Sequence, residues 1–158
     1  GNLDATVVTA EEVKRVRKAG LRVLLDLADL GSSLPMTSVM VRRSFLKGKT
    51  DIVARFLKAT SEAGRIFQTE KERSLKVLAK WTRLSDREAL EDMYQIYSQT
   101  ISLPPKTDLA GVQMILEFLG KSRLEAKQAR AQDFVEEGAL VDLEKAGFFR
   151  SLKSKDSK

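Results

Sequence analysis

The side chains that most often carry covalent chemistry are missing from this sequence: it has no histidine and no cysteine. That removes thiolate nucleophiles, disulfides, the commonest general base and the commonest transition-metal ligand. A metal site would have to be built from oxygen alone. No serine stands in a Gly-x-Ser-x-Gly elbow, and no phosphate-cradling glycine pattern occurs. Asp26 and Asp29 flank the end of an apolar run, where catalytic carboxylates can sit. Acids at such ends more often make turns, and the turn is the preferred reading. Tyr94 and Tyr97 could form part of a stacking platform, but their spacing fits one packed helix face at least as well. Trp81, alone on an apolar stripe, reads as core.

Ligand binding has better support than catalysis. Thr9-Ala10-Glu11 follows a short apolar run and opens a polar helix start. In open α/β sheets ligands collect beyond the carboxyl ends of strands. The hydroxyl of Thr9 and the first free amides of the next helix can hold an anionic or polar group. Simple capping of that helix by Thr9 is an equal alternative.

The elements that would position these groups change character along the chain. Ala5–Thr9 predicts a buried strand, Ala10–Ala19 a short helix closed by Gly20, and Leu21–Leu27 a second strand. Residues 29–35 form a loop by composition. Met36–Arg43 alternates, with Thr37, Val39 and Val41 on one side and Ser38, Met40 and Arg42 on the other, and predicts a third strand. From Thr50 onward the period is helical. Ile52, Val53, Phe56, Leu57, Thr60, Ala63, Gly64 and Phe67 mark one stripe; Leu75, Leu78 and Trp81 a second; Leu90, Met93, Tyr94 and Tyr97, behind a Ser85 cap, a third. After Pro104-Pro105, Leu109 to Leu119 predicts a further helix, and Leu140 to Leu143 a last short one ended by Gly147. The expected fold class is therefore α/β and helix-rich, with short strands near the amino end followed by a helical carboxyl-terminal region. Consecutive apolar strands cannot bury both faces without neighbours. They predict a partial sheet that pairs with further sequence or with a second copy, as a homodimer.

Of the 158 residues, 28 are basic and 22 acidic, a net charge of +6. Arg15, Arg17, Lys18, Arg42, Arg43, Lys47 and Lys49 are interleaved with apolar residues, which reads as surface solvation rather than a nucleic-acid patch. A basic helical interaction or nucleic-acid-associated protein is the alternative reading, motivated by a pI near 9.6. No apolar run approaches the ~20 residues of a membrane span, so no membrane insertion is expected.

Several short motifs carry a family resemblance. Gly1-Asn2-Leu3-Asp4-Ala5 followed by Gly20-Leu21-Arg22-Val23-Leu24 resembles a passage of bacterial ABC-importer substrate-binding proteins of the nitrate/sulfonate/thiamine-precursor type. Arg43-Ser44-Phe45-Leu46 with Val53-Ala54-Arg55-Phe56-Leu57-Lys58-Ala59 is similar to that family's strand-then-helix return. Leu103-Pro104-Pro105-Lys106 with Gly111-Val112-Gln113 resembles its pre-helix turn, and Glu125-Ala126-Lys127, Asp133-Phe134-Val135 and Leu143-Glu144-Lys145-Ala146-Gly147-Phe148 its carboxyl terminus.

The resemblance implies the carboxyl-terminal half of a two-lobed periplasmic-binding-protein type II fold. Residues 1–34 would close the second lobe, 35–43 would cross the hinge, 44–150 would form the helical part of the first lobe, and 151–158 would be a disordered basic tail. It further implies a periplasmic or extracytoplasmic location, no enzymatic activity and no cofactor. The implied partners are an ABC transporter permease and a small polar or anionic ligand held between lobes. Thr9, Ala10 and Glu11 would face that cleft; Thr37 and Ser38 on the hinge strand are weaker candidates, for which ordinary strand pairing is preferred.

Overall fold

Twenty residues from Thr50 to Thr69 form the longest helix among the described residues, and several of the other helices pack against it. The computed structural model describes residues 3–9, 12–26, 29, 35 and 37–154. Its helices are α1 (Val13–Lys18), α2 (Arg43–Gly48), α3 (Thr50–Thr69), α4 (Lys71–Thr82), α5 (Arg87–Thr100), α6 (Leu109–Gly120), α7 (Leu124–Gln128), α8 (Gly138–Lys145) and α9 (Phe148–Ser154). A 3₁₀ turn at Ala131–Asp133 joins α7 to α8.

Two apolar clusters hold the body together, and α3 touches both. Leu75, Leu90 and Tyr94 from α4 and α5 pack with Phe67 near its carboxyl end. The Phe67 and Tyr94 rings lie 5.3 Å apart between centroids. Leu140, Leu143, Phe149 and Leu152 from α8 and α9 pack with Leu57 near its middle. The buried face of α3 is rotated from the expected stripe. Ser61 lies at its centre, only 1 % exposed, while Ile52 and Phe56 remain exposed. Small residues are needed there because the loop after α5 crosses α3: a Cβ built on Gly64 would meet Ile101 at 3.1 Å.

Local signals end these helices where polar groups can satisfy the backbone. Gly20, at φ +82°, follows α1; its N–H donates to Arg17 O at 3.0 Å and that of Leu21 to Val16 O at 3.0 Å, a Schellman motif. Asp86, not Ser85, caps α5, accepting from the N–H groups of Glu88 and Ala89 at 2.9 and 3.4 Å. Asp108 caps α6 through the Ala110 N–H at 2.9 Å. The Leu103–Pro104 peptide is cis.

The α/β expectation is overturned: among the described residues there is no strand and no sheet. The protein is helical, so it does not have the two-lobed α/β architecture of periplasmic binding proteins. The apolar runs at 5–9, 21–26 and 37–42 are non-helical but unpaired. A strand is stabilised by its cross-strand neighbours rather than by its own pattern, and here each run finds none. The helical stripes instead satisfy one another. Trp81 is also corrected: it is 77 % exposed, with Lys80 Nζ 5.6 Å from its ring, because α4 turns Leu75 and Leu78 inward. Residues 151–154 belong to α9, with Leu152 buried, instead of forming a tail.

Two substitutions test this packing. The Ser61 hydroxyl is buried and finds no hydrogen-bond partner among the described residues. Replacing an unpartnered buried hydroxyl by a methyl group removes a desolvation penalty, so Ser61→Ala is expected to leave stability unchanged or raise it by about 1 kcal/mol in urea unfolding. A clear loss would mean that the hydroxyl is satisfied. Gly120→Ala should act in the opposite direction. Its Cβ would approach Lys127 Cα within 3.1 Å and Lys127 N within 3.3 Å, backbone atoms that cannot move aside cheaply. A cost of about 1–3 kcal/mol is expected from this overpacking, exceeding the gain in helix propensity of about 1 kcal/mol.

Candidate functional site

Gln68, one turn beyond Gly64 on α3, joins its helix to α5 and to the loop that follows α5 through polar contacts. Its Nε2 donates to Ile101 O at 2.8 Å and Ser98 O at 3.3 Å, gathering the last turn of α5 and the start of the following loop. Its own carbonyl accepts from Tyr94 Oη at 3.1 Å. A helix end leaves carbonyls without intrahelical donors, and Gln68 supplies one for α5. Next to this knot lies a cavity of about 130 Å³ lined by Arg65, Gln68, Leu103, Phe149, Leu152 and Lys153. Two cationic side chains and no acidic one border it, so it suits water or a small anion. Pockets for drug-sized organic molecules start near ~300 Å³. A second, open groove of about 330 Å³ lies between α6 and α7, lined by residues including Gln113, Glu117, Lys121 and Lys127.

Several of the remaining charges are engaged in ion pairs. Arg87 donates to both oxygens of Glu72, at 2.6 and 3.1 Å, and to Glu91 at 2.8 Å. Its hydrogen bonds hold both carboxyls below the usual carboxylate range, and they raise the guanidinium in return. Arg130 does the same to Asp133, whose backbone carbonyl also accepts from Arg43 of α2. Lys14 pairs with Asp92, and Lys18 lies 3.2 Å from Glu88, which tethers α1 to α5. Among the described residues no cluster of three or more acidic side chains is placed to hold a metal, and no helix is long and apolar enough to cross a membrane.

The sequence-predicted ligand residues are not drawn together. Ala10 and Glu11 lie outside the described residues. Thr9 is exposed, and its backbone carbonyl, not its hydroxyl, closes the turn by accepting from Glu12 N–H at 2.9 Å. Glu12 occupies the position before α1 and makes no side-chain cap. Thr37 and Ser38 are exposed and non-helical. None of these described residues lines either cavity. Tyr94 is core, as the helix-face reading expected, whereas Tyr97 is 37 % exposed and outside the core cluster, against that reading. Asp29 N–H donates to Asp26 O at 3.1 Å, which agrees with the turn reading of that pair. The Gln68 cavity was missed by motif reading. The available signal was Ser61, Gly64 and Gln68 at helical spacing on one face, small and polar residues where an apolar stripe would continue.

No protein-family model, no curated protein and no solved structure matches this chain.

Gln68→Ala is expected to lower stability by about 1–3 kcal/mol, because it leaves the Ser98 and Ile101 carbonyls short of a donor in a half-buried place. Tyr94→Phe removes one neutral hydrogen bond and should cost about 1 kcal/mol. Equilibrium urea denaturation of both variants checks the order; equal effects would remove the special position of Gln68.

Proposed function

We propose that this chain is a binding module without covalent chemistry of its own, working in an extracytoplasmic solute-binding component that delivers a small polar or anionic organic molecule to the permease of an ABC importer. The ordered motif resemblance supplies the cargo and the permease. One structural observation supports dependence on a partner. The apolar runs near the amino end stand exposed beside a packed helical body: Val7 is 81 % exposed, Leu24 76 % and Met40 90 %. Exposed apolar side chains gathered in such runs suit a contact with another polypeptide.

In this reading the chain does not form a two-lobed clamp by itself. The ligand lies where the partner covers these runs, with Thr9, Thr37 and Ser38 supplying hydroxyl groups once the partner draws them together. The Gln68 cavity, at about 130 Å³, is too small for an organic solute and plays a structural part.

A second reading has one observation in its favour. Arg42, Arg43, Lys47 and Lys49 fall within eight residues that contain no acid, around the short helix α2. Such a patch suits a nucleic-acid backbone.

Ligand-observed NMR with an alkanesulfonate, nitrate, a pyrimidine and benzoate distinguishes the two. The solute reading expects weak saturable binding of one of them, near the millimolar range for half a site, reduced several-fold by Thr9→Ala or Ser38→Ala. No saturable binding to any of the four, together with oligonucleotide binding that collapses with added salt, would replace it by the second reading.

A further inference from the structure

The run Arg22-Val23-Leu24-Leu25-Asp26 is self-complementary when laid antiparallel on a copy of itself. Centred on Leu24, such a pair sets Arg22 opposite Asp26 at both ends. Val23 faces Leu25 twice, and Leu24 faces Leu24. We propose that this segment is a homodimerisation strand, and that a second copy of this chain is its partner through a two-fold axis at Leu24. The proposal rests on the reading of the exposed runs as partner-binding surface and names the occupant of one of them.

Three observations carry it. All five residues are exposed and outside any helix, so their apolar side chains are free to be covered. Charge complementarity selects the register: oppositely charged residues facing across an antiparallel pair favour it, and a slip by one residue on either copy loses both pairs. The backbone selects the pattern. Leu21 N–H already donates to Val16 O, and Asp26 O already accepts from Asp29 N–H. Antiparallel pairs alternate between hydrogen-bonded and non-hydrogen-bonded positions. If Val23 and Leu25 exchange the ladder bonds, every bond falls inside the segment, and the two engaged groups stay as they are. Arg22–Asp26 and Leu24–Leu24 then occupy the non-hydrogen-bonded positions, where side chains approach more closely. Asp26 has an interaction within its own chain. A carboxylate accepts from several directions, so the pairing does not require that contact to break.

The geometry is isologous and closes at two copies. A pair of five-residue strands buries less than the ~1,200 Å² of a standard interface, so the dimer is weak and concentration-dependent.

Sedimentation velocity of the full chain over a wide concentration range tests this. The wild type is expected to pass from monomer to dimer as concentration rises. Arg22→Asp and Asp26→Arg should each weaken the dimer about tenfold or more by placing like charges opposite one another. An equimolar mixture of R22D and D26R chains should recover dimer as a mixed pair, and so should the double variant R22D/D26R. Far-UV circular dichroism verifies that the variants keep their helices. A wild type that stays monomeric, single variants that dimerise undiminished, or a mixture that fails to recover would each overturn the proposal. A monomer that still binds one of the small anions would leave the solute reading standing; a dimer that binds none would overturn that reading and not this one.

Discussion

The protein depends on one helix having two different halves. α3 presents Leu57 to the α8–α9 cluster and Phe67 to the α4–α5 cluster, so neither core is complete without it. Between them the face narrows to Ser61 and Gly64, and the chain after α5 crosses there. Gln68 fixes that crossing. Its amide holds the carbonyls of Ser98 and Ile101, and its own carbonyl takes the Tyr94 hydroxyl, so α3, α5 and the proline loop share one polar node. Apolar contact sets how strongly these elements attract, whereas this node sets their relative position, since a hydrogen bond has direction and hydrophobic burial has none.

A gradient of cohesion runs away from α3. The elements after it are joined by buried Leu, Phe and Tyr side chains. The segment before it is joined differently: α1 buries no residue and is held to α5 through Lys14–Asp92 and Lys18–Glu88, pairs of solvated side chains. Such pairs weaken with salt and give little rigidity. Helix α1 can thus open at low cost, and the described residues 21–26 that follow it carry exposed apolar side chains.

Helix placement was legible because a helix is a local object. The stripes Leu75–Leu78, Leu90–Tyr94 and Leu109–Leu119 needed only their own spacing, and Gly20 marked a stop that its positive φ confirms. Errors arose where either of two neighbours could serve. Asp86 took the cap assigned to Ser85, and rotation of the stripe carried Ser61 to the centre and Phe56 to the surface. The strands were not legible, because alternation such as Thr37-Ser38-Val39-Met40-Val41 states a preference that only another strand can satisfy. The ligand residues chosen from those strands lost their framework with them. Gln68 escaped notice for the converse reason: one polar residue in a helical stripe reads as a surface position until the crossing chain is known.

The unsatisfied runs are therefore informative in their own right. A sequence specifies a structure well when local pattern and global packing agree, and residues 50–154 largely meet that condition. Residues 21–26 and 37–42 do not: β-branched and leucine side chains, which cost little to order in a strand and gain by cross-strand contact, lie open to water. Evolution tolerates such a conflict when binding resolves it. The free-energy cost of ordering the segment is then borne at association, which lowers affinity and makes the contact reversible.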